Sequence, residues 1–148
     1  MKNLFRNVAT TVGLLVLGMS LTLAAPLNLT VENIRTNEGR IAIAVFNNES
    51  GFPNDDSKAV KRVFVPLQKA DQATSITIND LAPGQYAIAL FHDNNLSGKL
   101  ETNLFGIPSK GYGFSNNVNP SLRSARFDEA VFTLPEQGRE VTIKMVYR

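Results

Sequence analysis

One short segment in the second half of the chain combines residue types and a spacing that could bind a metal ion. Asp93, Asn95 and Ser97 stand two residues apart, Gly98 follows them, and Glu101 is the ninth residue counted from Asp93. Oxygen-bearing side chains at alternate positions, followed by glycine, let a chain wrap around a hard cation such as Ca²⁺. The spacing predicts a calcium loop with Asp93, Asn95, Ser97 and Glu101 as side-chain ligands.

The predicted calcium affinity of this loop is low. The twelfth position, which supplies a bidentate glutamate in tight calcium loops, is Leu104. With two charged ligands, we expect a dissociation constant of ~10⁻⁴ to 10⁻³ M, the range of extracellular modules. The competing interpretation is an Asx-rich turn that is held together by its own side-chain hydrogen bonds.

Catalytic residue types are scarce in this chain. His92 is the only histidine, so a site with two histidine ligands is excluded, and the absence of cysteine excludes thiolate chemistry and disulfides. Next to Asp93, His92 could act as a general acid or base, which makes a hydrolase the alternative function. No serine stands in a nucleophile motif, and no glycine-rich phosphate loop is present. We therefore expect a protein without catalytic machinery, in which His92 has a structural role.

A long stretch from His92 to Arg126 lacks a clear strand or helix pattern. It far exceeds an ordinary connection of ~4 to 6 residues, yet its many apolar side chains argue against a disordered linker. We predict an ordered excursion that packs on the rest of the fold. Amides and aromatic rings suit neutral ligands, so the candidate ligand-binding residues are His92, Tyr112, Phe114, Asn116, Asn117 and Arg126. The alternative is that these residues only close one end of the fold.

Short strand-like runs surround this excursion. Apolar residues alternate with polar ones near the N-terminus, at Leu27, Leu29 and Val31, and turn residues then predict a hairpin to the next run. The other runs cover residues 41–46, 62–67, 75–79, 85–91, 130–134 and 140–147, and the only helical hint covers residues 56–61. These patterns predict an all-β fold: a single antiparallel β-sandwich of about seven strands with one long ordered loop excursion.

Two of the runs share an unusual alternation. Residues 41–46 and 86–91 both alternate a large side chain with alanine and end on phenylalanine. The large side chains on one face would fill the core, and the alanines would leave a flat apolar surface on the other face. We predict two neighbouring central strands whose alanine faces are closely covered by the excursion. In the alternative interpretation, the alanines are incidental on half-exposed strands.

The turn before the second of these runs, residues 81–86, carries proline and glycine in succession. Proline fixes φ and glycine accepts a positive φ, so this segment predicts a tight turn. The ring of Tyr86 can be buried while its hydroxyl donates a hydrogen bond back to the turn, in the manner of the tyrosine corner of β-sandwich domains. The signal is structural rather than catalytic.

The N-terminus predicts export. Lys2 and Arg6 precede an apolar stretch that ends in small residues at Ala24, the layout of a signal peptide over residues 1–24; an uncleaved membrane anchor is the alternative. Residues 25–148 suffice for one domain and contain no other candidate membrane span. They carry thirteen basic and thirteen acidic side chains, so their charge does not favour nucleic acid as a partner.

Several motifs taken together resemble the bacterial DUF2141 domain from about residue 41 to residue 145. The matching segments are Phe46-Asn47, Gly51-Phe52-Pro53, Lys58-Ala59-Val60, Leu81-Ala82-Pro83-Gly84-Gln85-Tyr86, Phe91-His92-Asp93, Gly98-Lys99-Leu100, Thr102-Asn103-Leu104-Phe105-Gly106-Ile107-Pro108 and Gly111-Tyr112-Gly113-Phe114-Ser115-Asn116-Asn117. Members of that family are exported proteins of unassigned function. The resemblance therefore implies a periplasmic or secreted location, and a fold similar to transthyretin-like and carboxypeptidase-regulatory-like sandwiches, without implying an activity.

The family tends to have a loop of the form Asp-x-Asn-x-Asn-Gly-x-x-Asp after the histidine. Here Ser97 and Glu101 replace the third and fourth of its oxygen-bearing residues, which keeps oxygen ligands at these positions. The expected function is a non-catalytic binding module of the bacterial envelope, with calcium as its candidate cofactor and an envelope protein, a glycan or a small ligand as its partner. A buried His92 bonded to main chain would favour this module, whereas polar groups converging on His92 in a pocket would favour the hydrolase.

Overall fold

The computed structural model describes residues 23–68, 72–104 and 107–148. The predicted signal peptide, residues 1–24, lies outside this part of the chain except for its last two residues. The described residues form eight strands and three very short helical segments, which confirms the all-β prediction. The strands are β1 (Ala25–Glu32), β2 (Arg40–Phe46), β3 (Lys61–Pro66), β4 (Ala73–Leu81), β5 (Gly84–Asp93), β6 (Tyr112–Phe114), β7 (Phe132–Leu134) and β8 (Arg139–Lys144).

The helical segments are the four-residue helix α1 (Phe127–Ala130) and two 3₁₀ turns, Asp56–Lys58 and Ser115–Asn117. The first 3₁₀ turn lies within residues 56–61, where the only helical hint was found, and the Asp55 side chain caps it by accepting from the Ser57 amide. Among the described residues, no helix has the length and apolar character needed to cross a membrane.

The strands are arranged in two sheets. One has the order β4-β1-β8, and the other has the order β3-β2-β5-β6, with β7 beside β6 on the same edge of β5. β1 pairs antiparallel with β4 but parallel with β8, where Leu27 lies opposite Arg139. The described residues form eight strands where about seven were predicted, and the prediction of an antiparallel arrangement is wrong for this pair. The first and last strands are separated by most of the chain, so no tight turn constrains their relative direction.

The predicted hairpin between β1 and β2 is also wrong, because the two strands belong to different sheets. The turn between them carries the chain from one sheet to the other. Gly39 has a φ of 73°, and a Cβ atom on it would lie 2.1 Å from the main-chain oxygen of Asp93. The turn glycine is thus needed for close contact with the end of β5, a requirement that hairpin turn chemistry does not reveal.

The two sheets share one buried apolar cluster, to which the inward residues of both contribute. β2 and β5 are neighbours in their sheet, with Ala44 opposite Ala89, as the alanine pattern predicted. Their large side chains enter the shared cluster, and the alanines face the other way. The large residues of the two strands are Ile41, Ile43, Val45, Tyr86, Ile88 and Leu90.

The tyrosine turn forms as predicted: the Tyr86 hydroxyl donates to the main-chain oxygen of Ala82 at 2.7 Å. We expect Tyr86→Phe to lower the free energy of unfolding by about 0.5–1.5 kcal/mol, because only this hydrogen bond is lost while the buried ring stays in place. Urea denaturation of the two proteins measures the difference. An unchanged unfolding midpoint and slope would show that the turn is stable without this bond.

Candidate functional site

The outward face of β2 and β5 forms the floor of a cleft of about 490 Å³. The side chains of Ala42, Ala44 and Ala89 line this floor, which is therefore flat, and Ala44 and Ala89 belong to a second apolar cluster. The large apolar side chains around the floor are Phe64, Phe91, Leu100, Tyr112 and Phe114, and polar residues complete the lining.

One wall of the cleft is the loop after β2, and aromatic contacts hold it in place. The Phe52 ring packs edge-on at centroid distances of 5.4 Å from Phe46, 6.1 Å from Phe114 and 5.9 Å from Phe127. Pro53 and Asn54 of this loop then line the cleft. The family-like motif Gly51-Phe52-Pro53 thus holds this wall of the cleft in place through the contacts of Phe52.

The excursion forms another wall of the cleft, and it contains the short strand β6. It contributes Gly98, Lys99, Leu100 and Thr102 to the cleft. A second hollow of about 600 Å³ adjoins the cleft and shares several of its lining residues. The excursion stands beside the alanine floor and packs against it at Ala89, which is 8% exposed and shares an apolar cluster with Tyr112, Phe114 and Ala125. Ala44 is only half-buried, so the predicted close cover holds at Ala89 and fails at Ala44.

The oxygen-bearing side chains of the predicted calcium loop converge, and the group at their centre is the ammonium of Lys110. Its Nζ lies 3.2 Å from Asp93 Oδ1, 2.6 Å from Asn95 Oδ1, 2.7 Å from Ser97 Oγ and 3.5 Å from Glu101 Oε1. The main-chain oxygen of Lys99 lies at 2.9 Å from the same Nζ. The four residues predicted as ligands are thus brought together, and their calcium binding stays a prediction.

Asp93 is a fully satisfied buried carboxylate with 0% side-chain exposure. Besides Lys110, it accepts from Arg40 Nε at 3.0 Å and from the Gly98 amide at 3.0 Å. Burial raises the pKa of Asp93, but the hydrogen bonds from Arg40, Lys110 and Gly98 outweigh burial and leave that pKa below its ordinary value. Asp93 is therefore charged and structural at neutral pH.

Glu101 has a more exposed place in the same loop. Hydrogen bonds from Asn95 and Ser97, together with the charge of Lys110, hold the pKa of Glu101 below its ordinary value. Among the residues that the structure describes, no group of three or more His, Cys, Asp or Glu side chains is placed to hold a metal ion. The loop has only these two carboxylates, and Lys110 is the member of the cluster that the loop spacing did not reveal.

His92 lies on the other side of the sheet from Asp93, because successive side chains of a strand point to opposite faces. It is only 3% exposed. Its Nε2 lies 2.8 Å from the main-chain oxygen of Glu38 and its Nδ1 lies 3.0 Å from the Tyr147 hydroxyl. A carbonyl can only accept, so Nε2 carries a proton. Both ring nitrogens are engaged, and the imidazole is not available to a substrate.

The remaining predicted ligand-binding residues divide into two groups. Tyr112 and Phe114 line the cleft. The Asn116 amide donates to the main-chain oxygens of Glu129 and Val131, at 3.0 and 2.9 Å. The Asn117 amide group joins β8 by donating to the Thr142 oxygen and accepting from the Lys144 amide. Both amides are thus hydrogen-bonded within the protein, Asn116 to α1 and the residue after it and Asn117 to β8.

Arg126 lies at the start of α1, away from the residues that line the cleft. Its Nε donates to Asp128 at 3.1 Å, and its main-chain amide donates to the Glu129 carboxylate at 2.9 Å. The side-chain hydrogen bonds of Arg123 and the Arg126 amide lower the pKa of Glu129 to about 2. This cluster caps a short helix.

The described chain is thus a two-sheet all-β protein with a cleft that aromatic, apolar and polar residues line, and with a loop that encloses a lysine ammonium. The match to a family model covers residues 29–143, and the chain belongs to that family, the uncharacterized proteins conserved in bacteria that are described as DUF2141. This confirms the resemblance seen in the motifs. No curated protein matched the chain, and no solved structure matched it.

Proposed function

We propose that this protein is a non-catalytic binding protein of the bacterial envelope, organised as a β-sandwich, and that its cleft holds a small neutral ligand with a flat apolar face. The observation that carries the proposal is the floor formed by Ala42, Ala44 and Ala89, beside which the rings of Phe64, Phe91, Tyr112 and Phe114 line the cleft. A sheet face that only had to be buried would be packed with large side chains, as the opposite face of β2 and β5 is.

The dimensions and the lining of the cleft suit a small molecule. A volume of about 490 Å³ lies within the ~300–1,000 Å³ of typical ligand sites, which are mostly apolar with a few polar groups. Here the polar groups include the side chains of Asn54, Thr102 and Ser124. At the rim, Arg62 pairs with Asp56 at 3.4 Å, so these two charges offset each other. A neutral ligand with hydrogen-bonding groups at one end matches this lining.

The position of His92 supports binding rather than hydrolysis. A general base must reach the proton that it abstracts, and His92 is buried with both ring nitrogens bonded within the protein. The carboxylate of Asp93 is also engaged within the protein, since it accepts hydrogen bonds from Arg40, Gly98 and Lys110. The two residues of the hydrolase alternative therefore serve the fold on opposite faces of β5.

The neutral, flat dye Nile red tests whether the cleft binds such a ligand. We expect its fluorescence to rise when it is mixed with the protein, and Ala44→Phe to abolish the rise, because a phenyl ring on the floor would fill the space between the walls. Thr133→Phe is the matched control, since it adds the same ring at an exposed position of β7 outside the cleft. Equal dye binding by the two variants would contradict a ligand site on the alanine floor.

A further inference from the structure

We propose that the Lys110 ammonium is a built-in cation that takes the place of a metal ion in the loop from Asp93 to Glu101. The loop is then folded without a divalent ion, and calcium can enter only by displacing Lys110. This inference rests on the loop geometry and is independent of what the cleft binds.

The oxygens around Lys110 Nζ follow the ligand order of a calcium loop. In such loops the first, third and fifth residues bind through side chains, the seventh through its main-chain oxygen and the ninth through a side chain or water. Counted from Asp93, these positions are the five residues whose oxygens lie 2.6 to 3.5 Å from Nζ. The seventh is Lys99, which contributes its main-chain oxygen at 2.9 Å. A single nitrogen thus occupies the centre of the oxygen set.

The distances fit an ammonium rather than a calcium ion. Calcium–oxygen bonds measure about 2.3–2.6 Å, whereas N–H···O hydrogen bonds measure about 2.7–3.2 Å. An ammonium has three protons. Four acceptors lie within hydrogen-bond distance, Asn95, Ser97 and Lys99 at 2.6, 2.7 and 2.9 Å and Asp93 at 3.2 Å, so two acceptors share one proton. The carboxylates lie further away, at 3.2 and 3.5 Å, and balance the charge. Donors, acceptors and charges are therefore matched.

The burial of Lys110 indicates that its contacts with the loop stabilise the fold. The Lys110 side chain is only 4% exposed, and an ammonium removed from water is stable only when its charge and its protons are partnered. Lys110 lies two residues before β6, whereas its partners lie at the end of β5 and in the loop that follows it. The ammonium therefore joins the beginning of the excursion to a later part of it, and it supports the wall that Gly98, Lys99 and Leu100 give to the cleft.

Charge reversal at this residue tests the proposal. A glutamate side chain is one atom shorter than a lysine side chain. The carboxylate of Lys110→Glu would therefore end short of the position that Nζ occupies, and it could bind an ion placed at that position. We expect this variant to melt at a lower temperature than the unaltered protein in chelator, and calcium at about 10⁻³ M to raise its melting temperature with one-site binding in calorimetry. The unaltered protein should show neither effect. The control is Lys144→Glu, which makes the same charge change at an exposed residue and should not respond to calcium.

Reductive methylation of the unaltered protein gives a second measurement that does not depend on the folding of a variant. We expect formaldehyde and borohydride to modify Lys110 at least tenfold more slowly than the exposed Lys99, whether or not calcium is present, as measured by peptide mass spectrometry. Lys110 reacting as fast as Lys99 would overturn the proposal. So would calcium binding by the unaltered protein at about 10⁻³ M while Lys110 stays protected, because the ion would then have a place of its own. A Lys110→Glu variant that melts like the unaltered protein in chelator would also overturn it.

Discussion

Asp93→Ala is expected to lower the free energy of unfolding by about 3–5 kcal/mol, because it leaves a buried cation without its partner. Asp93 is 0% exposed and forms ion pairs with both Arg40 and Lys110. The Lys110 ammonium is held within the fold, so it cannot regain water when the carboxylate is removed. Urea denaturation of the unaltered protein and the variant measures the loss.

Two further variants show whether the loss arises from the unpaired charge. Glu101→Ala removes the other carboxylate, but its side chain is 49% exposed and 3.5 Å from Lys110 Nζ, so we expect a loss below about 1 kcal/mol. Asp93→Ala combined with Lys110→Met removes both charges and should be more stable than Asp93→Ala alone. If Asp93→Ala and Glu101→Ala lost equal free energies of unfolding, or if the double variant were no more stable than Asp93→Ala, the unpaired charge of Lys110 would not be the cause of the loss.

Asp93→Ala should also change how the free energy of unfolding depends on pH. The pKa of Asp93 in the folded protein lies below the 3.8 of an unperturbed aspartate, so its contribution to stability is complete above that value and is lost as pH falls through the folded pKa. Glu129, whose pKa is lowered to about 2, adds to the loss in the same acid range. We therefore expect the difference in stability between the unaltered protein and Asp93→Ala to be constant near neutral pH and to shrink in acid.

Ser115→Ala is expected to cost about 2–4 kcal/mol, because it leaves two buried main-chain groups without a partner. One edge of β5 is covered by two short strands, β7 opposite Gly84 to Tyr86 and β6 opposite Ala89 to Phe91. In the gap between them, the hydroxyl of Ser115 accepts from the Ile88 amide at 2.9 Å and donates to the Ala130 oxygen at 2.5 Å. The Ser115 side chain thus supplies the hydrogen bond that a paired strand would give to β5 at Ile88.

Hydrogen exchange at one amide distinguishes this role from general destabilisation. In Ser115→Ala we expect the Ile88 amide to exchange faster than its neighbours in β5, because it has lost its acceptor while the pairing of β5 with β2 remains. Ser109→Ala is the control, since it removes a serine hydrogen bond at an exposed residue and should leave the Ile88 amide protected. An Ile88 amide that exchanges equally slowly in both variants would refute the role given to Ser115.

Strand positions were well predicted because the signal for a strand is local. All seven predicted runs are strands or contain one, including β2 and β5, whose alternation of large residues with alanine correctly placed them side by side. β6 was missed because it is three residues long and has glycine at its centre. The oxygen-bearing residues of the loop could also be predicted, because all of them lie within nine consecutive residues and their spacing can be read directly from the sequence.

The sequence alone therefore determined the all-β class, the two faces of the central strands, the tyrosine turn and the set of oxygens in the loop. Only the tertiary structure decided that β1 pairs in parallel with β8, that the excursion stands beside the alanine floor, and that Lys110 fills the centre of the loop. The physical reason is range: side-chain alternation and loop spacing act between residues close in the chain. The partner of a sheet edge and the cation of a loop come from distant segments, and packing of the whole chain selects them.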